Sequence, residues 1–267
     1  MLLFIYTGHN AHTEYDLKEK KDDDNNAKKK VLEESYMKQV GQIVFDKNFV
    51  AFNVTYFCHG FHKTFLNSFI AIICDQLISD KDIPKNLRKI FYGGMSLMST
   101  IVIICGASLV TRYSYYYVIR SAFIFMTVAG LVMLHIGQGH PWCFMIFLLA
   151  DNCAAGATFS LFNMPQADIA DDNKIRYNRT HPISSTVFGI SALVSKPALA
   201  LSPMFAVYIL NSYGYSELTK KDIEASPELK HVMFLLVCLY PVVIGSLQLI
   251  AWCLFDIQYK SDKENVI

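Results

Sequence analysis

Long apolar stretches separated by short polar segments recur along most of the chain. Each stretch has about 20 residues or more, which is the length that a helix needs to cross the hydrocarbon core of a bilayer. Apolar runs of this length predict membrane-spanning helices rather than strands. The pattern predicts six of them, at residues 49–74, 91–110, 116–136, 142–166, 183–210 and 231–255. The expected fold is therefore all-α, a membrane domain of six transmembrane helices over residues 49–258.

Both ends of the chain differ from this membrane domain. The first residues, MLLFIYT, form a hydrophobic stub that is shorter than the core of a signal peptide. Residues 8–48 contain the segment KEKKDDDNNAKKK, whose mixed charges and few apolar residues favour a disordered linker. More Lys and Arg residues fall on the side of residues 1–48 than in the opposite loops, and this bias predicts that both termini are cytoplasmic. Residues 259–267 then form a cytoplasmic tail.

Composition supports an integral membrane protein, in the plasma membrane or an internal membrane. Of the 267 residues, 53% are hydrophobic and 18% are charged, as in lipid-embedded chains. The net charge of +1 and the lack of a basic stripe argue against nucleic acid as a partner. The seven cysteines have no metal-ligand spacing, and no nucleophile, base and orienting group recur together. We therefore expect neither a resident cofactor or metal nor an enzyme.

Polar residues follow a helical spacing in the first predicted span. They recur at steps of three or four residues, which places them on one face of a helix; they are Asn53, Tyr56, His59, Lys63 and Asn67. This face is either the wall of a water-filled, solute-lined cavity or a polar seam packed against a neighbouring helix. The sequence leaves both interpretations open.

An acidic residue lies near the middle of the fourth predicted span. Asp151 and Asn152 are followed by the small residues 154–157, which allow close approach of another helix. Because an ionised side chain inside a membrane costs at least about 2.5 kcal/mol, it usually faces a cavity or a partner. We expect Asp151 to bind a cation or to pair with Lys63 or Lys196, and a purely structural ion pair remains the alternative.

The fifth predicted span combines a central lysine with two prolines. Lys196 precedes Pro197, and Pro203 follows in the same span. Proline removes a hydrogen bond from the helix, so a bend or a local break is expected. Broken helices and charged groups meet at mid-membrane in transport pathways. This combination favours a cavity-facing Lys196 over one that only holds a structural carboxylate.

The order of features after residue 142 is similar to that of a known family. ADIADD, with Asp168 and Asp171, is followed by Arg179 and then by a long span carrying Phe188-Gly189 and Lys196. This order resembles the glycoside-pentoside-hexuronide:cation symporters, the melibiose-permease-like branch of the major facilitator superfamily. The resemblance implies that the chain corresponds to helices seven to twelve, the C-terminal half of a twelve-helix fold. It also implies that Lys196 faces the central cavity and that Asp168 and Asp171, with Arg179, form cytoplasmic gating contacts.

Taken with the resemblance, the residues predict half of a secondary transporter embedded in the lipid bilayer. The expected activity is symport of a small polar solute, such as a sugar, with H⁺ or Na⁺ as the coupling cation. The partner would be the missing N-terminal six-helix half or a second copy of the chain. The alternative is a non-transporting scaffold or regulatory membrane protein. The predicted solute and ion pathway consists of Asn53, His59, Lys63, Asn67, Asp151, Asn152 and Lys196.

Overall fold

The computed structural model describes residues 37–179, 183–216 and 225–257. From residue 46 onward, six α-helices lie wholly within the described ranges, which contain no strand. The helices are α1 (Lys47–Leu77), α2 (Lys85–Ile136), α3 (Pro141–Leu161), α4 (Asn163–Arg176), α5 (Ser184–Asn211) and α6 (Pro227–Cys253). The all-α prediction is confirmed for this part of the chain. The expectations for residues 1–36 and 259–267 lie outside the described residues.

A short helix occupies residues 37–44, where the sequence predicted a disordered linker. Val40, Ile43 and Val44 follow one another at steps that fit one face of a helix. The charged composition of the segment before them outweighed this short apolar pattern in the prediction. The end of the predicted linker is therefore helical.

Five helical segments are long and apolar enough to cross a membrane within the described residues. They are Lys85–Ser108, Arg112–Ile136, Pro141–Arg176, Ser184–Asn211 and Pro227–Cys253. Helix α1 is long enough, at 31 residues or about 46 Å as an α-helix, but polar side chains interrupt its apolar sequence. The chain is thus an integral membrane protein by its helices, and the predicted count of six spans is not confirmed.

The segments between consecutive helices are shorter than the sequence predicted. Helix α2 contains two spans, and Ser114, at the end of the predicted turn TRYS, has the non-helical angles φ 66° and ψ 145°. Helices α3 and α4 are separated only by Phe162, whose backbone remains near helical values. Helix α5 continues through Pro197 and Pro203 without a non-helical residue, so the predicted local break is absent.

Helix packing places α1 at the centre of the bundle. It packs mainly against α5 and α6 and also contacts α3 and α4, while α2 packs against α3 and α6. Close approach of α2 and α6 depends on glycine: a Cβ at Gly130 would lie 2.8 Å from the carbonyl oxygen of Cys238. Aromatic side chains fill much of the core, and Phe52, Phe65, Phe123, Phe162 and Trp252 are fully buried.

Ionic contacts fix both ends of α1. At its start, Asp46 caps the helix by accepting from the backbone N–H groups of Asn48 and Phe49 at 2.9 and 3.2 Å, and it also binds the Arg176 guanidinium from α4. At its end, the buried Arg88 of α2 donates to the carbonyl oxygen of Ile78 and to Asp80. These contacts satisfy backbone groups that a helix end leaves unpaired.

Candidate functional site

Two ionisable side chains meet in the middle of the bundle. Nε2 of His62 lies 3.0 Å from Oδ2 of Asp151, and the two side chains are 1% and 0% exposed. His62 lies halfway along the 31 residues of α1, and Asp151 lies halfway along the 21 residues of α3. Asp151 is therefore paired with His62 and not with Lys63 or Lys196, the two partners that the sequence suggested.

A second histidine connects three helices one turn earlier on α1. Nε2 of His59 lies 2.8 Å from the carbonyl oxygen of Ala155 on α3, and Nδ1 lies 3.1 Å from Nε2 of Gln248 on α6. Since a carbonyl only accepts, Nε2 of His59 must donate and Nδ1 must accept from the Gln248 amide. His59 is thereby fixed as a neutral imidazole between two neutral partners.

We call His59, His62, Asp151 and Gln248 the polar cluster. All four side chains are buried, with His59, Asp151 and Gln248 at 0% exposure. Within the part of the chain that the structure describes, Oδ1 of Asp151 and Oε1 of Gln248 have no hydrogen-bond partner. The great majority of buried polar atoms in proteins have a hydrogen-bond partner. These two oxygens are therefore unusual, because each could still accept a hydrogen bond.

Small residues allow α3 to approach its neighbours closely, as the sequence predicted. The carbonyl oxygen of Ala155 is accessible to His59, and a Cβ at Gly156 would lie 3.2 Å from the side chain of Ser99 on α2. Ser99 also donates from its hydroxyl to Oδ1 of Asn152 at 3.1 Å. Asn152 therefore faces α2, away from the His62–Asp151 pair.

Lys63 lies beside an aromatic wall instead of a carboxylate. Its Nζ is 4.1 Å from the centroid of the Phe159 ring, and Tyr56 stacks on the same ring at 5.9 Å. Lys63 is partly buried, and no carboxylate among the described residues lies within ion-pair distance of it. A cation over a ring face is favourable, but less so than a full ion pair.

The remaining pathway residues divide into buried and exposed positions. Asn53 is buried and donates from Nδ2 to the carbonyl oxygen of Phe49 on its own helix at 2.8 Å. Asn67 and Lys196 are both exposed. Along α1, the polar residues thus change from buried at Asn53 to exposed at Asn67. Lys196 lies on the exposed side of α5.

The predicted gating residues lie in α4 or just after it, and one of them contacts α2 near Ser114. The Tyr115 hydroxyl donates to Oδ2 of Asp168, whereas Asp171 is exposed. The guanidinium of Arg179 lies 5.2 Å from the centroid of the Tyr177 ring. A different arginine, Arg176, connects α4 to the start of α1 through Asp46.

Sequence reasoning missed two residues of the polar cluster and one at the end of α4. They are His62, Gln248 and Arg176, and each carries a polar group in or beside an apolar helix. His62 follows His59 by three residues, a spacing that points to the same face of α1. The predicted polar face nevertheless included the charged Lys63 and left out His62. Gln248 had no partner in its own helix to indicate its role.

The apolar helices define an integral membrane protein with buried polar groups between its helices. The chain belongs to the MFS/sugar transport protein family, whose model matches residues 1–259. It is 25% identical over 240 residues to transmembrane protein 180 of Gallus gallus, covering 84% of this chain and 46% of that protein. It is 23% identical over 242 residues to transmembrane protein 180 of Mus musculus, covering 83% and 46%. The chain spans less than half the length of the curated relatives it matches.

Proposed function

We propose that the chain forms one six-helix half of a secondary transporter that carries a small polar solute, such as a sugar, by symport with a cation. The family match supports a transporter, and α1 is the sixth membrane-crossing helix in this proposal. The observation that supports this proposal most directly is the environment of Lys63. A partly buried lysine in a membrane-spanning bundle, held against a ring and not against a carboxylate, has no structural ion pair to explain it.

The open side of α1 and α5 is the wall of the solute pathway in this proposal. Helix α5 packs along α1, with Ser202 donating to the carbonyl oxygen of Phe61 at 2.6 Å. Lys63, the Phe159 ring and the exposed Lys196 then belong to the unfilled side of this helix pair. A lysine directed into lipid at mid-span would cost about 2.5–3.5 kcal/mol, so a water-filled cavity or an apposed protein surface is the favoured environment.

A second half must face this wall for alternating access. Transport in this fold class rocks one half against the other around a site at the bilayer midplane. In this proposal the second half is an N-terminal six-helix half or a second copy of the chain; the relatives have more than twice the aligned length, which leaves room for further helices in them. Both termini of the chain are cytoplasmic in this proposal.

The alternative is a non-transporting membrane protein whose polar residues serve packing. His59 favours this alternative, because both of its ring nitrogens are used in bonds between helices. Lys63 and Lys196 discriminate between the two functions, since neither has an ion-pair partner among the described residues.

The test is uptake of radiolabelled sugars into vesicles from cells that express the native gene product, with an inward H⁺ or Na⁺ gradient. Lys63→Leu and Lys196→Leu should each reduce uptake at least about tenfold, equivalent to about 1.4 kcal/mol, while the protein remains folded and in the membrane. Lys89→Leu, at an exposed position near the start of α2, is the matched control and should transport normally. Normal uptake by both folded variants would favour the non-transporting protein.

A further inference from the structure

A cavity lies at the end of the bundle where α1 ends, against the first turns of α3 and α6. Its volume is about 160 Å³. Because one water molecule takes about 30 Å³ in the liquid, the cavity has room for a group larger than a single water. Among its lining residues in the described part of the chain, none belongs to the predicted solute pathway. The cavity is therefore separate from the polar cluster and from the proposed wall of the pathway.

Polar and apolar groups line this cavity at different depths. Gln138, in the turn between α2 and α3, and Lys230, the fourth residue of α6, line it at the level of the helix ends. The rings of Phe144 and Phe234 line it about one helical turn deeper, with their centroids 5.8 Å apart, and both are buried. The cavity thus has a polar rim and an aromatic wall below it.

The rim lies at the level expected for the boundary between lipid and water. The spans Pro141–Arg176 and Pro227–Cys253 both begin there. Trp142, at the start of α3, is 55% exposed, and tryptophan is enriched at the interfaces of a membrane with water. A phospholipid beside this cavity would therefore place its headgroup at the rim and its acyl chains at the depth of the aromatic wall.

Lys230 brings a positive charge to the rim without a carboxylate to balance it. Its side chain is half-buried, and no carboxylate that the structure describes lies within ion-pair distance of it. Glu228, the acidic residue of α6, is exposed. Since it precedes Lys230 by two residues, it points about 200° away around the helix. The cavity is therefore suited to a negatively charged ligand.

Other cations bind two of the carboxylates near the end of α1. Asp75 lies 3.7 Å from Nε of Arg88. Asp80 also binds the Arg88 guanidinium and lies 3.3 Å from Nζ of Lys85. These two carboxylates are consequently satisfied without Lys230.

The start of α3 adds to the attraction for an anion. Pro141, its first residue, lines the cavity. The preceding His140 provides no side-chain cap, whereas the start of α6 is capped by the Ser226 hydroxyl, which accepts from the backbone N–H of Leu229 at 3.2 Å. The uncapped positive end of the α3 dipole favours a negative group nearby, which supports the charge of Lys230.

Gln138 holds the rim of the cavity together. Its Nε2 donates to the carbonyl oxygen of Lys230 at 3.5 Å and to Nδ1 of His231 at 3.2 Å. These contacts connect the turn between α2 and α3 to the first turn of α6. The cavity is therefore largely preformed, which reduces the ordering cost of binding a ligand.

We propose that this cavity is a binding site for one anionic phospholipid, with the lipid phosphate at Lys230 and an acyl chain along Leu77, Phe144 and Phe234. The single charge of Lys230 balances the single charge of a phosphodiester. A zwitterionic headgroup carries its own cation and gains less from the lysine. The apolar wall favours a lipid over free phosphate, because a free ion would leave the wall in contact with water. This site does not depend on transport.

The first experiment measures lipid binding to the purified full native gene product by native mass spectrometry. The probes are dioleoyl phosphatidylglycerol and dioleoylglycerol, which has the same chains without the phosphate. The wild type should bind phosphatidylglycerol at one site at least about fivefold more tightly than dioleoylglycerol. Lys230→Gln should weaken phosphatidylglycerol binding about fivefold and leave dioleoylglycerol unchanged. Lys89→Gln, at an exposed lysine near the start of α2, is the matched control and should bind like the wild type.

A second variant tests the cavity with its charge intact. Leu77→Trp should fill the apolar part of the cavity and weaken the binding of both lipids. Leu87→Trp, at an apolar position with 41% exposure near the start of α2, should leave both unchanged. Thermal unfolding establishes that each variant is folded. If Leu77→Trp does not fold, Lys230→Gln and its control still decide whether the lysine recognises the phosphate.

Three results would overturn this site. Equal binding of phosphatidylglycerol and dioleoylglycerol to the wild type would show that the phosphate is not recognised. A loss in Lys89→Gln as large as that in Lys230→Gln would show a general attraction to surface charge. Displacement of phosphatidylglycerol by excess inorganic phosphate would identify a soluble phosphate as the ligand instead of a lipid. Persistence of the lipid under excess phosphate is the expected result.

Discussion

His59 donates a hydrogen bond from Nε2 to the backbone carbonyl oxygen of Ala155 at 2.8 Å, joining the middle of α1 to the small-residue stretch of α3. Its Nδ1 accepts from Gln248, so one imidazole connects three helices. We predict that His59→Leu lowers the free energy of unfolding by about 2 kcal/mol, because it leaves buried polar groups unpaired. Chemical unfolding in detergent micelles measures this loss.

Asn67→Leu is the matched control for His59→Leu. Asn67 lies on the same helix but is exposed, so its replacement should change stability by less than about 0.5 kcal/mol. Equal losses in the two variants would show that polarity along α1, and not the bonds of His59, determines stability.

Arg88 is predicted to be essential for the turn between α1 and α2. Its side chain is 1% exposed and donates to the carbonyl oxygen of Ile78 and to Asp80. Arg88→Met should reduce stability by about 2 kcal/mol, since hydrogen bonds to a charged group contribute more than neutral ones. Arg88→Lys should recover only part of the loss, because an ammonium cannot reproduce the fork of a guanidinium.

The neighbouring Lys89 provides the control for Arg88. It is exposed, and Lys89→Met should unfold at the same denaturant concentration as the wild type. A loss in Lys89→Met as large as that in Arg88→Met would contradict a specific role for the buried guanidinium.

Gly130 and Gly106, both in α2, should respond oppositely to alanine. At Gly130 the added Cβ would lie 2.8 Å from both the Cys238 carbonyl oxygen and a Val242 methyl group, so α6 must shift and stability should fall by about 1–3 kcal/mol. At Gly106 no atom lies within 4 Å, and alanine should stabilise the helix by up to about 1 kcal/mol. Thermal unfolding of the two variants checks both signs, and a loss at Gly106 would argue against close helix approach as the cause.

Arg176 is predicted to hold the start of α1 against the end of α4. Its guanidinium binds Asp46 and also Asp172, the latter at 2.5 Å. Because Arg176 is partly exposed, Arg176→Gln should accelerate hydrogen exchange at the amides of Asn48 and Phe49 by up to about fivefold. Lys174→Gln, two residues earlier, should leave these exchange rates unchanged, and a similar acceleration there would indicate a general charge effect.

Lys196 is predicted to face water, and cysteine labelling tests this. In a variant without native cysteines, Lys196→Cys should react with a membrane-impermeant maleimide. Leu201→Cys should not react, because five residues at about 100° each place it on a different side of α5, although Leu201 is also exposed at 47%. Equal labelling of the two positions would remove the argument for a water-filled wall.

The apolar runs predicted most of the fold because a membrane-spanning helix requires little beyond length and hydrophobicity. The rule was less reliable where polar residues enter a helix: α1 forms as predicted, yet it is not among the helices that are apolar enough to cross a membrane. Of the bend or local break predicted from Pro197 and Pro203, the break did not occur. A proline removes only one hydrogen bond of a helix, and α1 packs against this segment, so the helix can remain continuous.

The contacts of the candidate site were less predictable because they depend on helix rotation. His62 and Lys63 are adjacent in sequence and point about 100° apart, so the rotation of α1 about its axis decides which of them meets Asp151. The contact between Tyr115 and Asp168 also joins residues far apart in the chain. Sequence spacing fixes which residues share a helix face, but not which face meets a neighbour.

The bend at Ser114 has a mechanical consequence for the two spans of α2. No loop separates these spans at that end, so neither can slide along its axis without dragging the other. We expect relative motion between them to be chiefly a pivoting about Ser114, with the largest displacements near Lys85 and Ile136. The two spans therefore share one pivot, and a tilt of either span is transmitted to the other through Ser114.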